Sequence, residues 1–175
     1  PIYNPQNPAV DNTGLFTWDA PAANTSYTWD QLDALGETYA KTAQNFEAAY
    51  DAYDCEVAAD FVLTEQCTLT DFTAVGFFNN TNNAAHTFNF TVHADVGGVP
   101  SETSLFSSLT SSVSIDGSGQ FVLTLNNPVT LIAGTYWVAW SINMDYGTNS
   151  HQAYMSMRNA SDNGTYGYWR NPGQG

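Results

Sequence analysis

The sequence predicts an all-β fold, an antiparallel two-sheet sandwich of jelly-roll type, on three observations. From residue 57 onward the chain breaks into short runs rich in β-branched and aromatic residues, among them ADFVLT, TLTDFTAVGFF, HTFNFTVHA, QFVLTL and GTYWVAWSIN. Several runs alternate with period two: Phe88, Phe90 and Val92 share one face while Asn89, Thr91 and His93 share the other, as a half-buried antiparallel strand requires. Between the runs lie NNTNN, DGSG, NNP and DYGTN, all residues that tolerate positive φ or fix a turn. With no βαβ alternation and no internal repeat, about seven or eight such strands fold as a sandwich.

Taken in order, residues 1–29 contain Pro1, Pro5, Pro8 and Pro21 and are expected to form an extended arm ahead of a sandwich domain spanning residues 30–175. Within the arm Leu15, Phe16, Thr17 and Trp18 alternate. They are expected to add one strand to a sheet edge, in the same chain or in a neighbouring copy. Residues 30–53 space Leu32, Leu35, Tyr39, Phe46, Tyr50 and Tyr53 in a helical stripe, which predicts a short helix within that segment, although Gly36 and the Thr and Asn residues oppose it. In the strands that follow, Phe61, Phe72, Val75, Phe88, Phe90, Val92, Phe121, Leu123, Leu125, Tyr136, Val138 and Trp140 are expected to face the core.

Cys55 and Cys67 are flanked by strand-like sequence and have no His or second Cys pair at zinc-like spacing. A disulfide across neighbouring strands is the expectation, two buried thiols the alternative. With N-x-S/T sequons at Asn24, Asn79, Asn89, Asn159 and Asn163, the pair points to an oxidising, extracellular compartment in which the chain is secreted or displayed on a cell surface. The sequence has no initiating Met and no leader-like segment, so it reads as a mature or excised piece.

Charge narrows the partners. Only Lys41, Arg158 and Arg170 are basic, against 17 acidic residues, for a formal net charge of -14. Such a chain repels phosphate backbones and anionic headgroups, which argues against nucleic acid and membrane surfaces, and no apolar run approaches the roughly 18 residues of a span. Acidic loops suit calcium, whose hard oxygen ligands Asp51, Asp54 and Asp60, or Asp145 beside Asn143, would supply, although no D-x-D-x-D-G loop is present. In FTVHADVGGVPSE, Gly97 and Gly98 open backbone angles closed to other residues and Pro100 fixes φ, so the segment reads as a turn. Asp95 there caps downstream amides or, alternatively, ligates calcium.

The ordered set ADFVLTE, TLTDFTAVGFF, FTVHADVGGVPSE, FVLTLNNPVTLIAGTYWVAW and YGYWRNPG resembles β-sandwich modules appended to large secreted bacterial proteins. In those modules an Asp-x-Gly-Gly-x-Pro turn precedes a strand of the pvtLxaGtYW kind. The resemblance implies a non-catalytic jelly-roll module, met beside exported enzymes and adhesins.

The chemistry of the residues agrees. No G-x-S-x-G elbow is present, His86, His93 and His151 lie in separate contexts, and no pair of the many acids stands out for glycoside hydrolysis. Aromatics are the better clue. Trp137 and Trp140 lie on opposite faces of one strand, so one face is core and the other is expected to show a ring on which a sugar stacks. Tyr166, Tyr168, Trp169 and Arg170 form a second candidate binding patch. The expected function is attachment to a glycan or cell-surface component. The alternative is a structural subunit that polymerises with copies of itself by strand exchange through Leu15, Phe16 and Trp18, and a secreted hydrolase is the third reading.

Overall fold

A computed structural model of the chain describes residues 16–20, 25–29, 35–78, 85–111, 119–149, 152–158 and 167–172. Their strands form two six-stranded sheets facing each other. The first sheet contains β1 (Phe16–Ala20), β2 (Thr25–Trp29), β3 (Leu35–Thr42), β6 (Cys67–Phe78), β9 (Gln120–Leu131) and β11 (Ala153–Arg158), in the order β2-β1-β6-β11-β3 with β9 along the other side of β6. The second contains β4 (Gln44–Asn45), β5 (Glu56–Leu63), β7 (Phe88–Asp95), β8 (Pro100–Leu109), β10 (Gly134–Asn143) and β12 (Tyr168–Arg170), in the order β12-β5-β10-β7-β8. All pairings are antiparallel except the short one between β4 and β10. From β5 on, the chain changes sheet at every connection but one, the alternation a jelly roll shows.

The exception is the hairpin between β7 and β8, made by the double-glycine turn. Gly97 and Gly98 take φ of 68° and 87°, the Val96 amide donates to the Val99 carbonyl at 2.9 Å, and the Gly98 amide donates to Asp95 Oδ2 at 3.3 Å. Asp95 therefore caps the turn as an Asx motif.

Between the sheets lies one apolar core. Phe61, Phe72, Phe88, Phe90, Val92, Phe121, Leu123, Leu125, Val138 and Trp140 are buried in it as their alternation requires. Tyr136 sits at its rim, half-buried against Phe61 at 5.8 Å. Val75 departs from the expectation. The register of β6 against β9 shifts between Leu69 and Asp71, so Cys67 and Leu69 point inward before the bulge and Phe72 and Ala74 after it, which leaves Val75 half-buried on the opposite face.

One further expectation is met in part and two are corrected. The short helix expected within residues 30–53 is the 3-10 helix Ala48–Tyr53, while Leu35–Thr42, in the same stripe, is strand β3, paired with β11. A spacing of four fits one face of a helix and one side of a regular strand alike, so periodicity does not distinguish the two. The arm contributes two strands, not one. β1 pairs with β2, Phe16 opposite Trp29, and with β6, Phe16 opposite Phe72, all within one chain; Leu15 lies outside the described residues. Cys55 and Cys67 are both buried and are not joined to each other. They flank the eight residues of β5, which at ~3.3 Å per residue holds them far beyond the ~7 Å between Cα atoms that a disulfide tolerates.

Candidate functional site

At the side of the sandwich, where β12 and the end of β3 approach from opposite sheets, aromatic side chains surround a cleft of about 410 Å³. Its walls are Phe46, Tyr50 and Tyr53 from the 3-10 helix and its approach, Tyr146 from the one-turn helix α1 (Tyr146–Asn149), and Trp169 from β12, with Thr42, Gln152 and Asn171 adding polar groups. Burial of the backbone does not explain these rings. Tyr53 is 59% exposed and Trp169 43%, and Tyr50 and Tyr146 also remain open to solvent.

Each ring is positioned. Tyr50 meets Tyr146 edge-on at 5.8 Å and Tyr53 at 6.4 Å. Trp169 is fixed by its indole N–H, which donates to the Thr42 carbonyl at 2.9 Å and so ties β12 to β3 of the other sheet. Helix α1 is tied to the same region by Glu47, whose carboxylate accepts the amides of Tyr146 and Gly147, each at 2.7 Å. Desolvation by itself raises the Glu47 pKa, but these amides and the residue's own outweigh it and hold the carboxyl below its ordinary value. A Cβ at Gly147 would stand 2.6 Å from that carboxylate, so a larger residue there would shift the Glu47 side chain. The Asp54 carboxylate accepts the Phe46 amide at 2.8 Å and closes the loop that bears Tyr50 and Tyr53.

Of the three described residues of the patch expected near the C-terminus, Tyr168, Trp169 and Arg170, Trp169 alone reaches this cleft. Neighbours on a strand point to opposite faces, so Tyr168 and Arg170, opposite Ala58 and Glu56, belong to the outer face of the second sheet. Arg170 Nε bonds Glu56 Oε1 there, and Tyr166 lies outside the described residues. Trp137 and Trp140 are corrected as stacking residues, since both faces of β10 are covered: Trp140 is 6% exposed in the core and Trp137 is 1% exposed on the other side. Trp137 donates to Asp95 Oδ1 at 2.8 Å and meets Tyr168 edge-on at 6.3 Å, packed with Ala58 and Ala139.

The carboxylates singled out for calcium are dispersed. Asp51 is exposed on the 3-10 helix, Asp54 caps the Phe46 amide, Asp60 is buried opposite Trp137, Asp95 holds the Trp137 indole, and Asp145 is exposed after β10. Among the described residues, no three His, Cys, Asp or Glu side chains gather as a metal-holding group. Of the sequons, Asn89 lies mid-strand in β7, half-buried, its amide 3.5 Å from Ser141 Oγ and its carbonyl accepting from Asn143 at 3.2 Å; Asn24, Asn79, Asn159 and Asn163 are outside the described residues.

From the sequence, Tyr50 and Tyr53 fall in a helical stripe and Tyr146 is not singled out. A usable signal was present: in AAYDAYD each tyrosine is next to an aspartate, an environment for rings at a surface. No protein-family model, curated protein or solved structure matches this chain.

Proposed function

We propose that the protein is a non-catalytic extracellular module that binds a glycan, with the aromatic cleft as its binding site. The observation that carries this reading is the convergence of four exposed rings, Tyr50, Tyr53, Tyr146 and Trp169, on one cleft with amide and carbonyl groups at its edge. Sugar rings offer apolar C–H faces that stack on aromatics and hydroxyls that need fixed polar partners, and the cleft offers both. The resemblance to exported sandwich modules agrees with this. So does the pairing of β1 with β6 of its own chain, since strand exchange between copies would use that strand elsewhere.

Titration calorimetry against neutral plant, fungal and bacterial oligosaccharides tests the reading. Tyr53→Ala, at a ring that is 59% exposed, is expected to weaken binding about tenfold, ~1.4 kcal/mol, and leave the melting temperature unchanged. Absence of binding to any saccharide, or binding indifferent to both Tyr53→Ala and Trp169→Ala, would overturn it.

A further inference from the structure

A second depression, of about 520 Å³, borders the first at Cys55, which lines both. It runs over the outer face of the second sheet. The register puts Asn89 and Thr91 of β7, Ser141 of β10 and Ser107 of β8 on that face, and Asn127 of β9 lines the same groove. Where the groove meets the aromatic cleft stand the carboxylates of Asp54 and Glu56.

The composition of this surface is selective. Its lining includes no Lys, Arg or His. Glu56 is already compensated by Arg170, and Asp54 commits one oxygen to the Phe46 amide, so the groove presents one uncompensated carboxylate among neutral amides and hydroxyls. A ligand carrying carboxylates or sulfates would meet repulsion here and from a chain of net charge -14. A single carboxylate beside amides and hydroxyls matches sugar hydroxyls, which donate to the first and exchange hydrogen bonds with the rest. The volume lies within the range of small-molecule sites, about 300–1,000 Å³.

We infer that the polar groove receives the continuation of the saccharide held in the aromatic cleft, so that the ligand is a hydroxyl-rich oligosaccharide without acidic groups, longer than a disaccharide. This rests on the glycan reading of the cleft. Both depressions are bounded by Cys55, and Tyr53 and Asn171 of the cleft are followed in the chain by Asp54 and Pro172 of the groove, so one chain of sugars passing from stacked to hydrogen-bonded subsites is the economical occupant. Two unrelated ligands would have to share that border.

The test uses the full chain and calorimetry with glucose-, mannose- and galactose-based disaccharides and hexasaccharides, together with galacturonate and glucosamine hexamers. A neutral hexasaccharide is expected to bind at least about tenfold tighter than its disaccharide. Ser107→Trp, which fills the groove from an exposed position, is expected to abolish that gain and leave disaccharide binding unchanged, while Trp169→Ala weakens both lengths. Asn127→Ala, expected to reduce only hexasaccharide affinity, serves should the tryptophan perturb folding. Equal affinity for the two lengths, or hexasaccharide binding untouched by both groove variants, overturns this inference and leaves the cleft reading standing. A galacturonate hexamer bound as tightly as the neutral ones overturns the exclusion of acidic sugars, whereas the glucosamine hexamer is expected to bind at least as tightly as they do. If no saccharide binds, both readings fall.

Discussion

His93 is a buried imidazole whose neighbours decide its tautomer. The Ser101 carbonyl, 2.8 Å from Nδ1, can only accept, so Nδ1 carries the proton and Nε2 accepts from the Thr91 hydroxyl at 2.9 Å. Burial is the largest influence and holds the His93 pKa below its ordinary 6.5; the Arg170 guanidinium acts the same way, while the Ser101 and Thr103 carbonyls and Glu56 oppose it. A histidine with a lowered folded-state pKa binds fewer protons than the unfolded chain between that value and the ordinary 6.5. Its contribution to stability is therefore whole above pH 6.5 and is lost as the pH falls from 6.5 through the lowered folded value. Urea denaturation between pH 8 and 5 is expected to show this loss, and His93→Gln to remove part of the slope. Parallel pH profiles for the two proteins would refute it; the comparison also isolates His93 from His86, whose pKa burial lowers as well. The alternation of FNFTVH placed His93 on the face opposite Phe88 and Phe90, and that face was legible. Its burial was not, because period two assigns a side of the sheet but is silent about what lies over that side.

Where β6 passes β11, the strands approach so closely that only glycine fits. A Cβ at Gly76 would meet the Tyr154 carbonyl oxygen, the Met155 sulfur at 3.0 Å and the Phe121 ring at 3.3 Å. The sulfur and ring can move; the carbonyl belongs to a residue in register with β6, Tyr154 opposite Phe77, and retreats only if that pairing loosens. Gly76→Ala is accordingly expected to destabilise by about 1–3 kcal/mol, read as a lower urea midpoint, and an unchanged midpoint would show that the two strands separate at little cost. Most strands from β5 to β10 were legible in the sequence because a buried and a solvated face impose alternation on each. The bulge in β6 was not, because Leu69 and Phe72 are compatible with a parity change anywhere between them, and only the ladders to β1 and β9 place it before Phe72. Strand β3 was missed for a related reason: its pairing partner β11 lies more than a hundred residues away, and local propensity carries no information about it.

On the scale of the whole molecule, a sandwich held by no bridge between Cys55 and Cys67 depends on its core and on the completeness of its strand ladders. The sandwich itself was legible. The aromatic cleft was not, because its rings come from segments around residues 46–53, 146 and 169 that only the closing of two sheets brings together. The hairpin of β1 and β2 completes the first sheet along one stretch of β6, with Phe16, Thr17, Trp18 and Asp19 opposite Phe72, Asp71, Leu69 and Thr68. Deleting residues 1–29 would bare the amides and carbonyls of β6 on that side, and an unpaired edge next to buried Leu69 and Phe72 invites pairing with another copy. The truncated chain is therefore expected to melt at a lower temperature and to scatter light increasingly with concentration. Saccharide affinity should persist in the monomeric fraction, since no described residue of the cleft comes from the deleted segment. A truncated chain that melted like the full one and stayed monomeric would mean that the β1–β6 ladder contributes nothing to stability. Loss of binding by a folded, monomeric truncated chain would instead place part of the glycan site on the hairpin, against the assignment to Tyr50, Tyr53, Tyr146 and Trp169.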